Sequence, residues 1–231
     1  MKTKLFKILA LALSAVLLVV TTVLVTVAYL TSSAMVTNTF TVGNVGILMY
    51  ETPVNENGIP SETIPAGEMK TASSNKYKLL PNTTYTKDPT IYITSGSAES
   101  YLFIKVRNDI ASIEVAADDS EHSTIAEQLA ANGWKALPGY TTAHNSTIYI
   151  YTDGADNVKI VGNNNVRQDI PVFETFSIKS DATSEQLALH TSSEVKVVAY
   201  AIQTAGFEEE TDPVAAAWAA IQETYPGEVH N

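Results

Sequence analysis

Glu99 to Arg107 reads ESYLFIKVR, and its alternation decides the fold class. Leu102, Ile104 and Val106 fall on one face of an extended chain; Tyr101, Phe103, Lys105 and Arg107 fall on the other. Period two is the mark of a strand packed against a core. Glu194 to Thr204, EVKVVAYAIQT, is the strongest strand pattern in the chain. Outward from these two, shorter runs read as strands at Lys76 to Leu80, Thr90 to Thr94, Ser112 to Ala116, Thr147 to Tyr151 and Asn157 to Val161. Ile170 to Lys179, IPVFETFSIK, reads as one more, with Pro171 near its start. Turns such as Pro81 to Thr84, Asp153 to Asp156 and Gly162 to Asn165 separate them. Glu51 to Ser74 is a long loop, punctuated by Pro53, Gly58, Pro60, Pro65 and Gly67.

Helices are few, and their starts are written locally. Thr124 and Glu127 have capping-box spacing, as do Thr183 and Gln186. Asp212-Pro213 places an N-cap acceptor before a proline at the first helical position, with Val214, Trp218, Ile221 and Tyr225 on one face. About nine strands without βαβ alternation predict a mainly β protein. The expected architecture is an antiparallel, jelly-roll-like β-sandwich with two or three short peripheral helices, preceded by a hydrophobic N-terminal signal helix.

Charge and composition exclude several function classes. The chain of 231 residues carries a net charge of -11. Loss of Lys2, Lys4 and Lys7 with a leader would leave 11 basic against 25 acidic residues, or -14. Such a surface repels phosphate backbones, so no nucleic-acid partner is expected. Without cysteine there is neither a disulfide, a thiolate metal site nor a cysteine nucleophile. The four histidines, His122, His144, His190 and His230, show no H-E-x-x-H spacing. Asp118 to His122, DDSEH, reads as a solvated loop, and Asp153 to Asn157 as a hairpin turn without calcium-loop order. No catalytic residue, cofactor or metal site is expected.

The N-terminus has the outline of an export signal: three lysines, then an uncharged run from Ile8 to Leu30. Cleavage after Ala28, with Thr26 as the other small residue, is the first reading; cleavage after Ala34 is a second. The run is also long enough to remain as a membrane anchor, so both fates stay open. Beyond it, AYLTSSAMVTNTFTVGNVGI, Ala28 to Ile47, is too polar to span a membrane and too rich in Thr, Val and Phe to be a plain linker. Leu30, Ser32, Ala34 and Val36 share one face, continuing to Phe40 and Val42. The parity then slips at Gly43-Asn44, before Val45, Ile47 and Met49, which predicts a bulge or bend within Thr39 to Tyr50.

The leader running into this ribbon resembles the SipW-dependent signal region of the TasA/camelysin family, Gram-positive biofilm-matrix fibre proteins. KYKLLPNTTYTKDPTIYITSGSAESYLFIKVR, IPVFETFSIKSDATSEQL and VKVVAYAIQTAGFEEETDPVAAAWAAI are similar to clostridial-type members, in family order. The resemblance implies a secreted structural subunit cut by a dedicated signal peptidase, which the small residues Thr26 and Ala28 set between Ala28 and Tyr29. It implies a signal peptide over 1–28, a donor-strand segment over 29–38 and a single sandwich domain over 39–231. Subunits of this kind polymerise head to tail, the freed N-terminal segment of one filling a groove in the next. The assembly strand would then comprise Tyr29, Leu30, Ser32, Ala34 and Val36, with Phe40 and Val42 following. Ten residues, Tyr29 to Asn38, span about 33 Å when extended, enough to cross a sandwich. A flexible tether is the other reading of the same segment. Implied partners are further copies of the chain, the signal peptidase and, as an option, an accessory matrix protein; the membrane is met only through the leader. A monomeric surface-binding module held by an uncleaved 8–30 anchor is the rival function. Camelysin carries a metallopeptidase label, which the missing zinc motif gives no reason to transfer.

Overall fold

The computed structural model describes residues 31–35, 38–39, 45–142, 146–154 and 157–226. The signal peptide, its cleavage residues Ala28 and Tyr29, and the assembly-strand residues Leu30, Val36, Phe40 and Val42 lie outside the described residues, as does the Gly43-Asn44 bulge. Eleven described strands are β1 (Thr31–Met35), β2 (Asn38–Thr39), β3 (Ile47–Tyr50), β4 (Thr83–Thr86), β5 (Thr90–Ile93), β6 (Ser100–Asn108), β7 (Trp134–Thr142), β8 (Ser146–Tyr151), β9 (Gln168–Pro171), β10 (Thr175–Ile178) and β11 (Val195–Gln203). The three described helices are α1 (Ile125–Ala131), α2 (Ser184–Leu189) and α3 (Pro213–Thr224). The protein is mainly β, and its strand pairings are antiparallel.

A six-stranded sheet runs in the order β2-β1-β11-β6-β8-β7. Sheets β3-β5-β9 and β10-β4 complete the strand pairing. One continuous core joins them: Leu102, Ile104, Val106, Val197, Ala199 and Ala201 from the large sheet meet Ile47, Met49, Ile91, Ile93, Ile170, Tyr85 and Phe176 from the small ones. This is the face that alternation in ESYLFIKVR assigns to the core. Its opposite face is buried too. Phe103, Ile148, Ile150, Val198, Tyr200 and Ile202 pack under α3, against Ala217, Trp218 and Ile221. Even Lys105 on that face is buried.

Each helix begins where the sequence predicts. Thr124 and Thr183 both form complete capping boxes, and the Asp212 side chain accepts from Ala215 N–H ahead of Pro213.

Several strands differ from expectation. IPVFETFSIK divides between β9 and β10, which lie in different sheets. β9 ends at Pro171; one further bond follows in the same register, Val172 N–H to Pro89 C=O at 2.9 Å, and Pro89 has no N–H to return. Lys76 to Leu80 is not a strand, nor is Ser112 to Ala116; Glu114 makes one isolated bridge, to Ile178. Asn157 to Val161 holds only the bridges Thr152 to Val158 and Ser100 to Val161. Strand β7 was not predicted: Pro138-Gly139 sits inside it, and its ladder with β8 shifts register between Ala136 and Thr141.

Candidate functional site

Strand β11 carries different neighbours along its two edges. On one edge β6 pairs with it from Val195 to Gln203. On the other, β1 pairs only with Ala199 to Ile202: Ala34 stands opposite Ala199, and Ser32 opposite Ala201. These are the two expected assembly-strand residues that are described. Val195 to Val198 have no described strand on the β1 side.

A cleft of about 940 Å³ opens beside that stretch, with Val195, Lys196 and Val197 in its lining. The segment Ser73 to Leu79 lines it as well. Its alternation is real, but side chains rather than a ladder hold it in place. Asn75 accepts from Val54 N–H at 3.0 Å and donates to Thr52 C=O at 2.9 Å. The Tyr77 hydroxyl donates to Thr86 C=O at 2.9 Å, and the Tyr85 hydroxyl to Lys78 C=O at 2.7 Å. Tyr77 stands edge-on to Phe176 at 5.1 Å and to Tyr85 at 5.7 Å, while Tyr85 and Phe176 stack at 4.9 Å. Helix α2 supplies Leu187 and Ala188 to the rim, and Leu189 beside them is 82% exposed.

One ion pair lies in this lining. Lys87 Nζ meets Glu51 Oε2 at 2.8 Å, with both side chains largely buried. Glu51 is fixed through its backbone, which exchanges hydrogen bonds with Ala72 at 2.9 and 3.0 Å. Its other oxygen, Oε1, is buried with no hydrogen-bond partner among the described residues. Burial, and then the negative charge of Glu51, pushes the Tyr77 phenol far above the usual tyrosine range. A second polar cluster borders it: Asp88 accepts from Thr52 N–H and hydroxyl, both at 2.8 Å, and pairs with Lys70 at 2.8 Å.

Among the described residues the cleft therefore offers a strand edge without a partner strand, apolar side chains and one unsatisfied acceptor. Such an arrangement receives extended polypeptide well: an unpaired edge is a template for a further strand. Sequence reasoning missed Glu51, Lys87 and the edge at Val195–Val198. A carboxylate directly after the apolar strand ILMY was the one available signal.

The sequence's chemical candidates do not converge. Asp119 Oδ1 accepts from Glu121 and His122 N–H, both at 2.9 Å, so DDSEH closes on itself as a turn. Asp153 accepts from Asn157 N–H at 3.2 Å beside the Thr152 to Val158 bridge, as in a hairpin turn. His190 is held between the Ser112 and Ser193 hydroxyls at 3.1 and 2.9 Å. His144 and His230 lie outside the described residues. Among the described residues no group of three acidic or histidine side chains could hold a metal, and no helix is long and apolar enough to cross a membrane. Compared with known proteins, the chain matches no protein-family model, no curated protein and no solved structure.

Proposed function

We propose that this chain is an exported structural subunit of an extracellular or cell-surface fibre, of the TasA/camelysin kind. On this reading a jelly-roll-like sandwich polymerises through a strand donated by its N-terminal segment. The supporting observation is the edge of β11: β1 covers four of its positions, and Val195–Val198 have no described strand on that side and lie beside a cleft. Strand addition there takes affinity from backbone hydrogen bonds and register from side-chain fit. Head-to-tail insertion does not close on itself, so it yields filaments rather than dimers.

Electron microscopy of purified secreted protein tests this. The exported form is expected to begin at Tyr29 and to make filaments. Deletion of Tyr29 to Asn38, which also removes β1, should leave soluble monomers that make no filaments. Filaments that persist after the deletion would overturn strand donation. An exported form that still begins at Met1 and never polymerises would favour the membrane-held binding module, whose ligand site the cleft would be; its volume is within the usual range for small-molecule sites.

A further inference from the structure

The chain carries 25 acidic against 14 basic residues, but the cleft beside β11 reverses that balance. Lys76, Lys78, Lys87 and Lys196 line it, against Glu51, Glu56 and Glu194. Two of these glutamates are already engaged: Glu51 with Lys87 at 2.8 Å and Glu194 with Arg107 at 3.5 Å. Lys76, Lys78 and Lys196 are exposed and form no ion pair among the described residues. Positive charge without a partner therefore collects at one place on an acidic protein. Much of the remaining lining is apolar. Leu79, Leu187 and Val195 pack against the core on one side and keep part of their surface uncovered, and Leu189, further along α2, is largely exposed.

We propose that the cleft binds a free long-chain carboxylate, its alkyl chain covering Leu79, Leu187 and Val195 and its head group held at Lys76 and Lys78. The inference is independent of the fibre reading: it adds a ligand to the subunit, whatever the subunit assembles into. A volume of about 940 Å³ lies within the range of small-molecule sites, which are apolar with a few polar groups that fix orientation. The apolar lining supplies the affinity, since each buried CH₂ strengthens binding about fourfold. The lysines supply the choice of head. A carboxylate gains from them, a quaternary ammonium is repelled, and an alcohol gains little. Charge also separates a single molecule from a bilayer. A carboxylate in the cleft sits beside the lysines, inside the screening length of about 8 Å at physiological salt. An anionic membrane surface faces the whole protein and is repelled by its net charge of -11.

Isothermal titration of the exported protein with sodium laurate, kept below its micelle concentration, tests the proposal. Saturable binding of one laurate per chain is expected. Octanoate should bind at least about tenfold more weakly, because it buries fewer CH₂ groups. Dodecyltrimethylammonium, with the same chain and the opposite head, should also bind at least about tenfold more weakly. Lys76→Glu combined with Lys78→Glu should lower laurate affinity by about tenfold with circular dichroism unchanged, since both side chains are exposed. A nitroxide-labelled stearate should broaden the amide resonances of Leu79, Leu187 and Val195 before others in two-dimensional NMR, which places the alkyl chain without any substitution. No saturable laurate binding would overturn the proposal. So would equal affinity for laurate and the ammonium, or broadening centred elsewhere; either marks adventitious binding to apolar surface. Capture by phosphatidylglycerol vesicles without binding of free laurate would overturn it too, and assign the lysines to a membrane surface.

Discussion

Glu114 Oε1 accepts the backbone N–H of Ile125, the first residue of α1, at 2.6 Å. Asn108 donates to its other oxygen at 2.9 Å. The carboxylate thus ties the end of β6 to the start of α1. Burial nevertheless raises its pKa above the usual glutamate range, outweighing the two hydrogen bonds.

A pH dependence follows. Between the unfolded and folded pKa values the native state binds more protons than the unfolded state. Stability therefore falls as pH rises through that window, the reverse of the usual carboxylate effect. Glu114→Gln should flatten this part of the profile. Thermal melts from about pH 4 to pH 7 check it; a variant with the same slope as the parent would clear Glu114 of the effect.

Breaking the Glu51–Lys87 pair is expected to cost more than removing it. Lys87→Met leaves a buried carboxylate uncompensated and should destabilise the fold by about 3–5 kcal/mol. The double variant Glu51→Leu, Lys87→Met should recover most of that loss. Urea denaturation of both gives the comparison, and equal losses in the single and double variants would contradict it.

Helix α3 is held by Trp218, which is fully buried with Phe103 at 5.3 Å and Tyr200 at 5.7 Å. Trp218→Ala should cost about 3–5 kcal/mol. Trp218→Phe should cost clearly less, because the indole N–H is buried without a partner among the described residues. Denaturation midpoints rank the two.

Gly162 has φ +91, and a Cβ there would collide with the Ala98 carbonyl oxygen. Gly162→Ala should lower stability by more than about 1 kcal/mol, through strain and through displacement of the backbone at Ser97 and Ala98. Gly96, with φ +76 and open space around it, should suffer from the φ alone. A thermal-shift comparison of the two alanine variants tests whether the collision adds to the strain.

Features written locally were legible in the sequence. The capping pairs Thr124–Glu127 and Thr183–Gln186 need only three residues of context, and both helices start where they predict. β6 and β11 were legible because each presents a long alternating face to one core. β7 was not, since Pro138-Gly139 breaks the pattern while the ladder absorbs the break as a register shift. Lys76 to Leu80 alternates for a different reason: Tyr77 and Leu79 pack against the core, but its polar atoms bond to side chains and loops. The candidate site was hidden because Glu51 and Lys87 are 36 positions apart. Nothing in either neighbourhood announces the other.

β11 stands between β1 and β6, and Thr31 meets a partner 171 positions later in the chain. A ribosome delivers the earlier strand first. The backbone that will receive it does not exist until nearly all the intervening chain has been made, and closing so long a loop is slow. Throughout that interval the first strand is a bare ribbon in search of an edge. In a crowd of identical chains at the same stage, the first finished β11 it meets need not be its own. The order of synthesis thus sets a competition between folding alone and folding into a neighbour, decided by how many copies are nearby when β11 closes.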